Sequence, residues 1–249
     1  MATPALQPEG DLQRSRPLDA IVTEFDAGAA QIVFLALGDI PDAVAERVLT
    51  ADEAERARRL VAPLVRRGFV GGRWLLRSVL AALTRVEGGS LDLRADAHGK
   101  LHLAGHEPLG AFFNLSHSGE LAALALVHAR RIGIDIEAER PLTDAALLAR
   151  RILGPSERER FKALPASARS GALLAAWTRK EAVLKAMGTG IAGGLSSVEV
   201  LADAVVSVGV APAMWSLRAL SMPPGFHGAI AIEGEAPRLV TWQAVAVSG

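Results

Sequence analysis

Twice along the chain a long helical segment is followed by a run of short strand-like segments at hairpin spacing, and this order constrains the fold more than any single motif. From Gly71 onward, Leu75, Leu76, Val79, Leu80 and Leu83 form an apolar helical stripe, with Arg73 and Arg77 one turn apart off that stripe. The segments "LDLRA", "KLHLAG", "AFFNLS" and "ELAALALVH" follow, separated by Gly, His and Ser turns. The second half repeats the order: a helix over residues 171–187, then "SSVEVLA", "MWSLRAL", "FHGAIAIEG" and "RLVTWQAVAV". The halves share too few letters to be a repeat by sequence, so the parallel rests on element order alone. It predicts an α+β fold of two similar lobes side by side, residues 21–130 and 131–249. Residues 1–20, rich in Pro and polar groups, are read as loose. Upstream of the first long helix, "QIVFLALGD" has strand length, and "TADEAERARRL" opens a helix with Thr50 and Glu53 spaced as a capping box.

With 249 residues, half of them hydrophobic and 22% charged, the chain is long and apolar enough to bury a core. Lys plus Arg balances Asp plus Glu at 27 each, which argues against a dedicated nucleic-acid binder. The absence of cysteine excludes disulfides, zinc ribbons and thiol catalysis. The N-terminal segment has no apolar core of signal-peptide type, and no apolar run approaches the roughly 20 residues needed to span a bilayer. The expectation is a soluble, cytoplasmic protein.

"RRIGIDIEAER" (130–140) alternates two kinds of residue. As a strand it places Ile132, Ile134 and Ile136 on one face, and Gly133, Asp135 and Glu137 on the other. An edge strand with its polar face in water would look like this. So would one face of a divalent-cation site, because carboxylates at i and i+2 converge and Mg²⁺ takes one or two carboxylates plus phosphate oxygens. In that reading Gly133 leaves room beside the cation. The strand by itself does not decide.

"WTRKEAVLKAMGTG" (177–190) shifts the balance. At 100° per residue Leu173, Trp177, Leu184 and Met187 share one stripe, with Lys180 and Glu181 in or beside it and Lys185 at its flank. Thr178, Ala175 and Ala182 face away. A charge in an apolar stripe needs a partner or a cavity. One account is an ion pair between Glu181 and a nearby Lys or Arg. The other joins Glu181 to Asp135 and Glu137 around one metal, with Lys180 and Lys185 facing anionic oxygens. Three carboxylates disfavour mutual ionisation unless a cation joins them. Together the two segments favour the metal.

Other candidates are weaker. Ser116 and His117 in "FFNLSHSGE" lack a nucleophile elbow and suit a phosphate or a turn equally. His98, His102 and His106 recur every four residues, but Gly99, Gly105 and Pro108 deny the helix that zinc ligation would need, so they read as surface turns. In "GPSERE", Ser156 and Glu159 are spaced as a second capping box. Glu157 then either favours the helix dipole or acts as a catalytic base. Arg56, Arg58, Arg59, Arg66 and Arg67 form the densest basic region, usually a solvated face.

"FNLSHSG", "IGIDIE" and "WTRKEAVLKAMGTGI", in this order, resemble the 4'-phosphopantetheinyl transferases of the surfactin-synthetase-activating (Sfp) type, over roughly residues 50–200. The resemblance implies a monomeric pseudo-dimer of two α+β lobes, each a long helix on a small, mainly antiparallel sheet, with the active site in the cleft between them. It implies Mg²⁺-dependent transfer of the phosphopantetheine arm of coenzyme A to a serine of an apo acyl or peptidyl carrier protein, with adenosine 3',5'-bisphosphate as leaving group. Asp135, Glu137 and Glu181 match the Mg²⁺ ligands. Ser116 and His117 match the 3'-phosphate region, and Lys185 matches a pyrophosphate contact. Lys100 in "HGKL" matches the lysine of a Gly-Lys-Pro motif near the nucleotide, and Glu157 matches a general base, with Glu181 acting through water as the alternative. Arg56 falls at a basic position that reaches the phosphates; Lys180 is expected to join these contacts. Two positions depart from the pattern. Leu101 replaces the motif's proline, and Glu53 stands where relatives can carry a basic residue, leaving Arg56, Arg59 or Arg67 to supply that charge.

Two rival readings belong to other classes. A metal-dependent nuclease would also cluster carboxylates, but Asp135-Ile136-Glu137 lacks the lysine common two residues after the strand acid, and the net charge is zero. A non-catalytic carrier-binding module would have no need for acids at all three ligand positions.

Overall fold

The computed structural model describes residues 17–142, 144–190, 194–201, 204–208 and 215–244. In chain order its elements are α1 (Pro17–Asp26), β1 (Ala30–Ala36), α2 (Asp42–Glu46), α3 (Ala51–Arg59), α4 (Pro63–Thr84), β2 (Leu93–Ala95), β3 (Leu101–Leu103), β4 (Ala111–Ser118) and β5 (Leu121–His128). There follow β6 (Ile132–Ala138), α5 (Ala145–Ile152), α6 (Pro155–Ala163), α7 (Ala166–Met187), β7 (Val198–Leu201), β8 (Ala204–Val208), β9 (Trp215–Ala219), β10 (Phe226–Glu233) and β11 (Leu239–Ala244). The fold is mixed α+β. Helix α1 begins inside the segment expected to be loose; the rest of that segment, residues 1–16, lies outside the described residues.

The chain divides into two compact units. Of the described residues, the first comprises 17–95, 101–129 and 237–244. Its sheet has the order β11-β1-β5-β4, antiparallel except where β11 runs parallel to β1. Leu75, Leu76, Val79 and Leu80 of α4 pack with Val33, Leu35, Phe113, Leu124 and Leu126, so the apolar stripe faces the core as its spacing predicts. The capping box of α3 forms: Glu53 N–H donates to Thr50 Oγ1 at 3.3 Å, and Thr50 N–H to Glu53 Oε2 at 3.1 Å.

Strand β11 corrects the expected division at residue 131, because the last strand returns to the first unit. Strand β5 pairs with only one edge of β1, and β11 covers the backbone groups of the other. It also satisfies a buried amide: Trp242 Nε1 donates to Gln31 Oε1 at 2.9 Å, while Gln31 Nε2 donates to Ile21 O at 2.7 Å.

The second unit comprises residues 96–100 and the described residues between 130 and 236. Its sheet runs β6-β10-β9-β8-β7, each neighbouring pair antiparallel. Helix α7 packs across it, with Leu173, Ala182, Val183 and Leu184 buried against Val198, Leu217, Ala229 and Ala231. It starts five residues earlier than its apolar spacing suggests, with Pro165 at the N-cap, and ends at Gly188, whose φ of 75° suits glycine. Thr178 and Ala182, expected to face away from the core, are both buried. For Ala182 the cause lies in β6. A Cβ on Gly133 would stand 2.1 Å from Ala182 O and 2.4 Å from Ala186 N, so only glycine lets the backbone of α7 rest on the strand. The room at Gly133 is thus filled by a helix, not kept for a cation.

Candidate active site

Strand β6 is the edge strand of its sheet, yet its carboxylate face is not in water, because α7 lies over it. Ile132, Ile134 and Ile136 are buried on the opposite face, as the alternation requires, and Asp135 is itself only 5% exposed. Lys185 Nζ approaches Asp135 Oδ1 at 2.7 Å and donates to Ile134 O at 3.3 Å. Glu137 Oε2 pairs with Arg140 Nη1 at 2.7 Å.

Glu181, one helical turn before Lys185, faces the same place. It is 7% exposed, and its Oε1 is buried with no hydrogen-bond partner. Burial raises its pKa above the ordinary carboxylate value; Lys185 lowers it, and the negative charges of Asp135 and Glu137 raise it further. Strand β6 and helix α7 therefore bring these acids into electrostatic contact. Among the described residues, no three His, Asp or Glu side chains stand close enough to form a finished metal cage. The oxygen-only donor set, with a buried unsatisfied oxygen on Glu181, nevertheless has the chemistry of a hard divalent cation's site.

Lys180 and Glu157 are placed differently from the expectation. Lys180 is fully buried and its Nζ lies 2.6 Å from Glu157 Oε2. It also donates to Leu195 O at 3.0 Å and to Val198 O. An ammonium has three donors, and these contacts use them all. Lys180 therefore faces no anionic oxygen of a ligand; burial lowers its pKa, and Glu157 opposes that shift. Glu157 accepts from Gly154 N at 2.8 Å and from Val200 N at 2.9 Å, which binds α6 to β7. The cap of α6 is accordingly Gly154, with Pro155 at the first helical position, rather than Ser156. Glu159 instead pairs with Lys162 on the surface. A general base must reach its proton, and Glu157 is spent on structure.

Lys100 is also committed. Its Nζ donates to Ile132 O at 3.1 Å, Lys185 O at 2.6 Å and Ala186 O at 3.2 Å, which leaves no donor for a nucleotide.

In the first unit, Ser116 and His117 lie on β4, opposite Ala123 and Ala122. Ser116 is buried and His117 exposed. The His117 ring packs on α4 where Gly68 provides space: a Cβ there would stand 2.6 Å from Nδ1. Arg67 pairs with Glu120 at 3.2 Å, and Arg56 stacks over Phe69 at 5.0 Å. Glu53, the acid at an expected basic position, pairs with Arg73 at 3.1 Å and Arg77 at 2.8 Å. Arg77, read as lying off the apolar stripe of α4, is 2% exposed and donates to Gly88 O and Leu91 O. Arg73 lies over Phe69 beside Arg56. The sequence places Arg73 off the apolar stripe without naming a partner; its i, i+4 spacing from Phe69 is the signal for the stacking.

Residues 131–221, which hold β6 and α7, match the 4'-phosphopantetheinyl transferase superfamily. The chain is 39% identical over 189 residues to the 4'-phosphopantetheinyl transferase HetI of Nostoc sp., spanning 75% of this chain and 79% of that protein. The chain belongs to the 4'-phosphopantetheinyl transferase superfamily. It is 32% identical over 174 residues to the 4'-phosphopantetheinyl transferase AcpT of Salmonella typhi, covering 70% of this chain and 79% of the relative. Against a phosphopantetheinyl transferase of Thraustochytrium sp. it is 30% identical over 189 residues, 72% of this chain and 66% of the relative. It is a transferase of the phosphopantetheine arm.

Proposed function

We propose that this transferase is of the surfactin-synthetase-activating type, a pseudo-dimer of two similar lobes. It takes the arm from coenzyme A and places it on a serine of an apo acyl or peptidyl carrier protein, in a Mg²⁺-dependent reaction. The observation that carries the reading is the approach of Glu181 on α7 to Asp135 and Glu137 on β6, with Lys185 at 2.7 Å from Asp135. Asp135, Glu137 and Glu181 would hold the metal. When bound, Mg²⁺ would offset charge on the pyrophosphate.

The chain's own groups do the remaining work. Lys185 places a cation beside Asp135, ready to move its hydrogen bonds to a phosphate oxygen. Arg56, Arg67, Ser116 and His117 are assigned to the nucleotide end; Arg73, beside Arg56 on Phe69, joins them in place of the cation that Glu53 displaces. The serine oxygen bonds to the β-phosphorus as the bond to the bridging oxygen breaks. Adenosine 3',5'-bisphosphate leaves without needing an acid. With Glu157 buried in its ion pair, Glu181 is the carboxylate assigned to take the serine proton through water.

Incubation with coenzyme A, Mg²⁺ and apo carriers from fatty-acid, polyketide and nonribosomal-peptide systems tests this by intact mass. Addition of one phosphopantetheine is expected on at least one carrier. No mass gain on any of them, with folded protein, rejects the reading. Cleavage of an oligonucleotide would revive the nuclease, and Mg²⁺-independent carrier binding without turnover would indicate a binding module.

A further inference from the structure

We infer that Lys100 is a positioning residue, whose ammonium staples the last turn of α7 to the first residue of β6 and thereby sets the spacing between Lys185 and Asp135. The last carbonyls of a helix have no partner within it. In α7, Leu184 O accepts from Gly188 N at 3.0 Å and Thr189 N at 3.3 Å. The next two, Lys185 O and Ala186 O, accept from Lys100 Nζ, and the third ammonium proton goes to Ile132 O. One side chain thus grips the backbone of Lys185, whose own Nζ grips Asp135, and also the strand three residues before Asp135. A cation at a helix C-terminus is also favoured by the aligned peptide dipoles.

The turn before Lys100 is built to deliver it. Asp96 Oδ1 accepts from His98 N at 2.8 Å and Lys100 N at 2.9 Å, and Gly99 takes the positive φ of 83° that the bend requires. Gly133 supplies the complementary half of the device, since its missing side chain lets α7 rest on β6 while Lys100 closes the gap at their ends. Burial lowers the Lys100 pKa to about 8, so the staple is charged at neutral pH.

The catalytic consequence rests on the transferase reading; the staple itself does not. Amine acetylation of the wild-type protein at pH 7, read by peptide mass, needs no variant to fold. Lys100 is expected to stay protected to the same extent with and without coenzyme A. Labelling in the free protein that coenzyme A suppresses would make Lys100 a ligand contact and overturn the inference. In turnover, Lys100→Met is expected to lower kcat on the order of tenfold with the KM for coenzyme A within about threefold of wild type, and Lys100→Arg to recover part of the loss. A raised KM with kcat unchanged, or no change in either, also overturns it. If the wild type modifies no carrier, the transferase reading fails, while the labelling result still judges the staple.

Discussion

Helices α4 and α7 each have 22 residues and lie on sheets, and both bury charges, but what the buried charges meet differs. On α4, Arg66 and Arg67 reach solvent and pair there with Glu46 and Glu120, while the buried Arg77 pairs with Glu53 and donates to two backbone carbonyls. On α7, Lys180 and Glu181 are consecutive and both buried, one aimed at Glu157 and the other toward Asp135 and Glu137. A buried helix face offers no cheap place for a charge, so each one needs a partner built by another element. For Lys180 that partner is structural. Glu181 has an unsatisfied oxygen beside two like charges, and on that asymmetry the proposed metal site rests.

The contrast is sharpest in stability. Removing one member of a buried pair leaves the other charge uncompensated, so Lys180→Met should cost about 3–5 kcal/mol in denaturant unfolding. Arg67→Met, at an exposed pair, should cost about 1 kcal/mol or less. Similar losses for the two variants would break the comparison.

Two glycines extend it to packing. Gly133→Ala drives a methyl into the backbone of α7, which cannot give way locally; about 1–3 kcal/mol of stability should go. Transfer should fall on the order of a hundredfold, since small displacements of reacting groups are costly. Gly68→Ala meets only the exposed His117 ring, which can turn aside, so unfolding should barely change while coenzyme A affinity weakens. Loss of fold at Gly68→Ala, or full activity at Gly133→Ala, would reverse the assignment.

The smallest effect is a pH dependence. Lys100 has a folded pKa of about 8, below the ordinary lysine value, so the unfolded chain binds its proton more tightly. The cost of burying that charge is present in full below pH 8 and is relieved as pH rises toward the unfolded value. Wild type should therefore gain stability relative to Lys100→Met between pH 8 and 10, measured by urea unfolding. A constant difference across that range would remove burial as the cause.

The local grammar of the chain was legible where the decisive forces are local. Alternation gave β6, spacing gave the buried stripe of α4, and the Thr50–Glu53 capping box formed as read. Long-range partners were not legible. Nothing in "RLVTWQAVAV" states that it runs parallel to β1, and the stripe in "WTRKEAVLKAM" sets Lys180 apart from the flanking Lys185 without naming the partner of either, Glu157 for one and Asp135 for the other. Charges in an apolar stripe announced that partners existed; only the fold identified them. The α6 cap was misread despite a usable sign, because Pro155 at the first helical position points to Gly154 before it.

The central claim is that the acids of β6 and α7 hold the divalent cation used in transfer. Thermal melts with coenzyme A, at increasing Mg²⁺, should show a Mg²⁺-dependent rise for wild type that Glu181→Gln loses. The metal-free melting temperature of Glu181→Gln should equal or exceed that of wild type, because a buried, repelled carboxylate has been neutralised. A Mg²⁺-dependent rise that survives intact in Glu181→Gln would contradict the account.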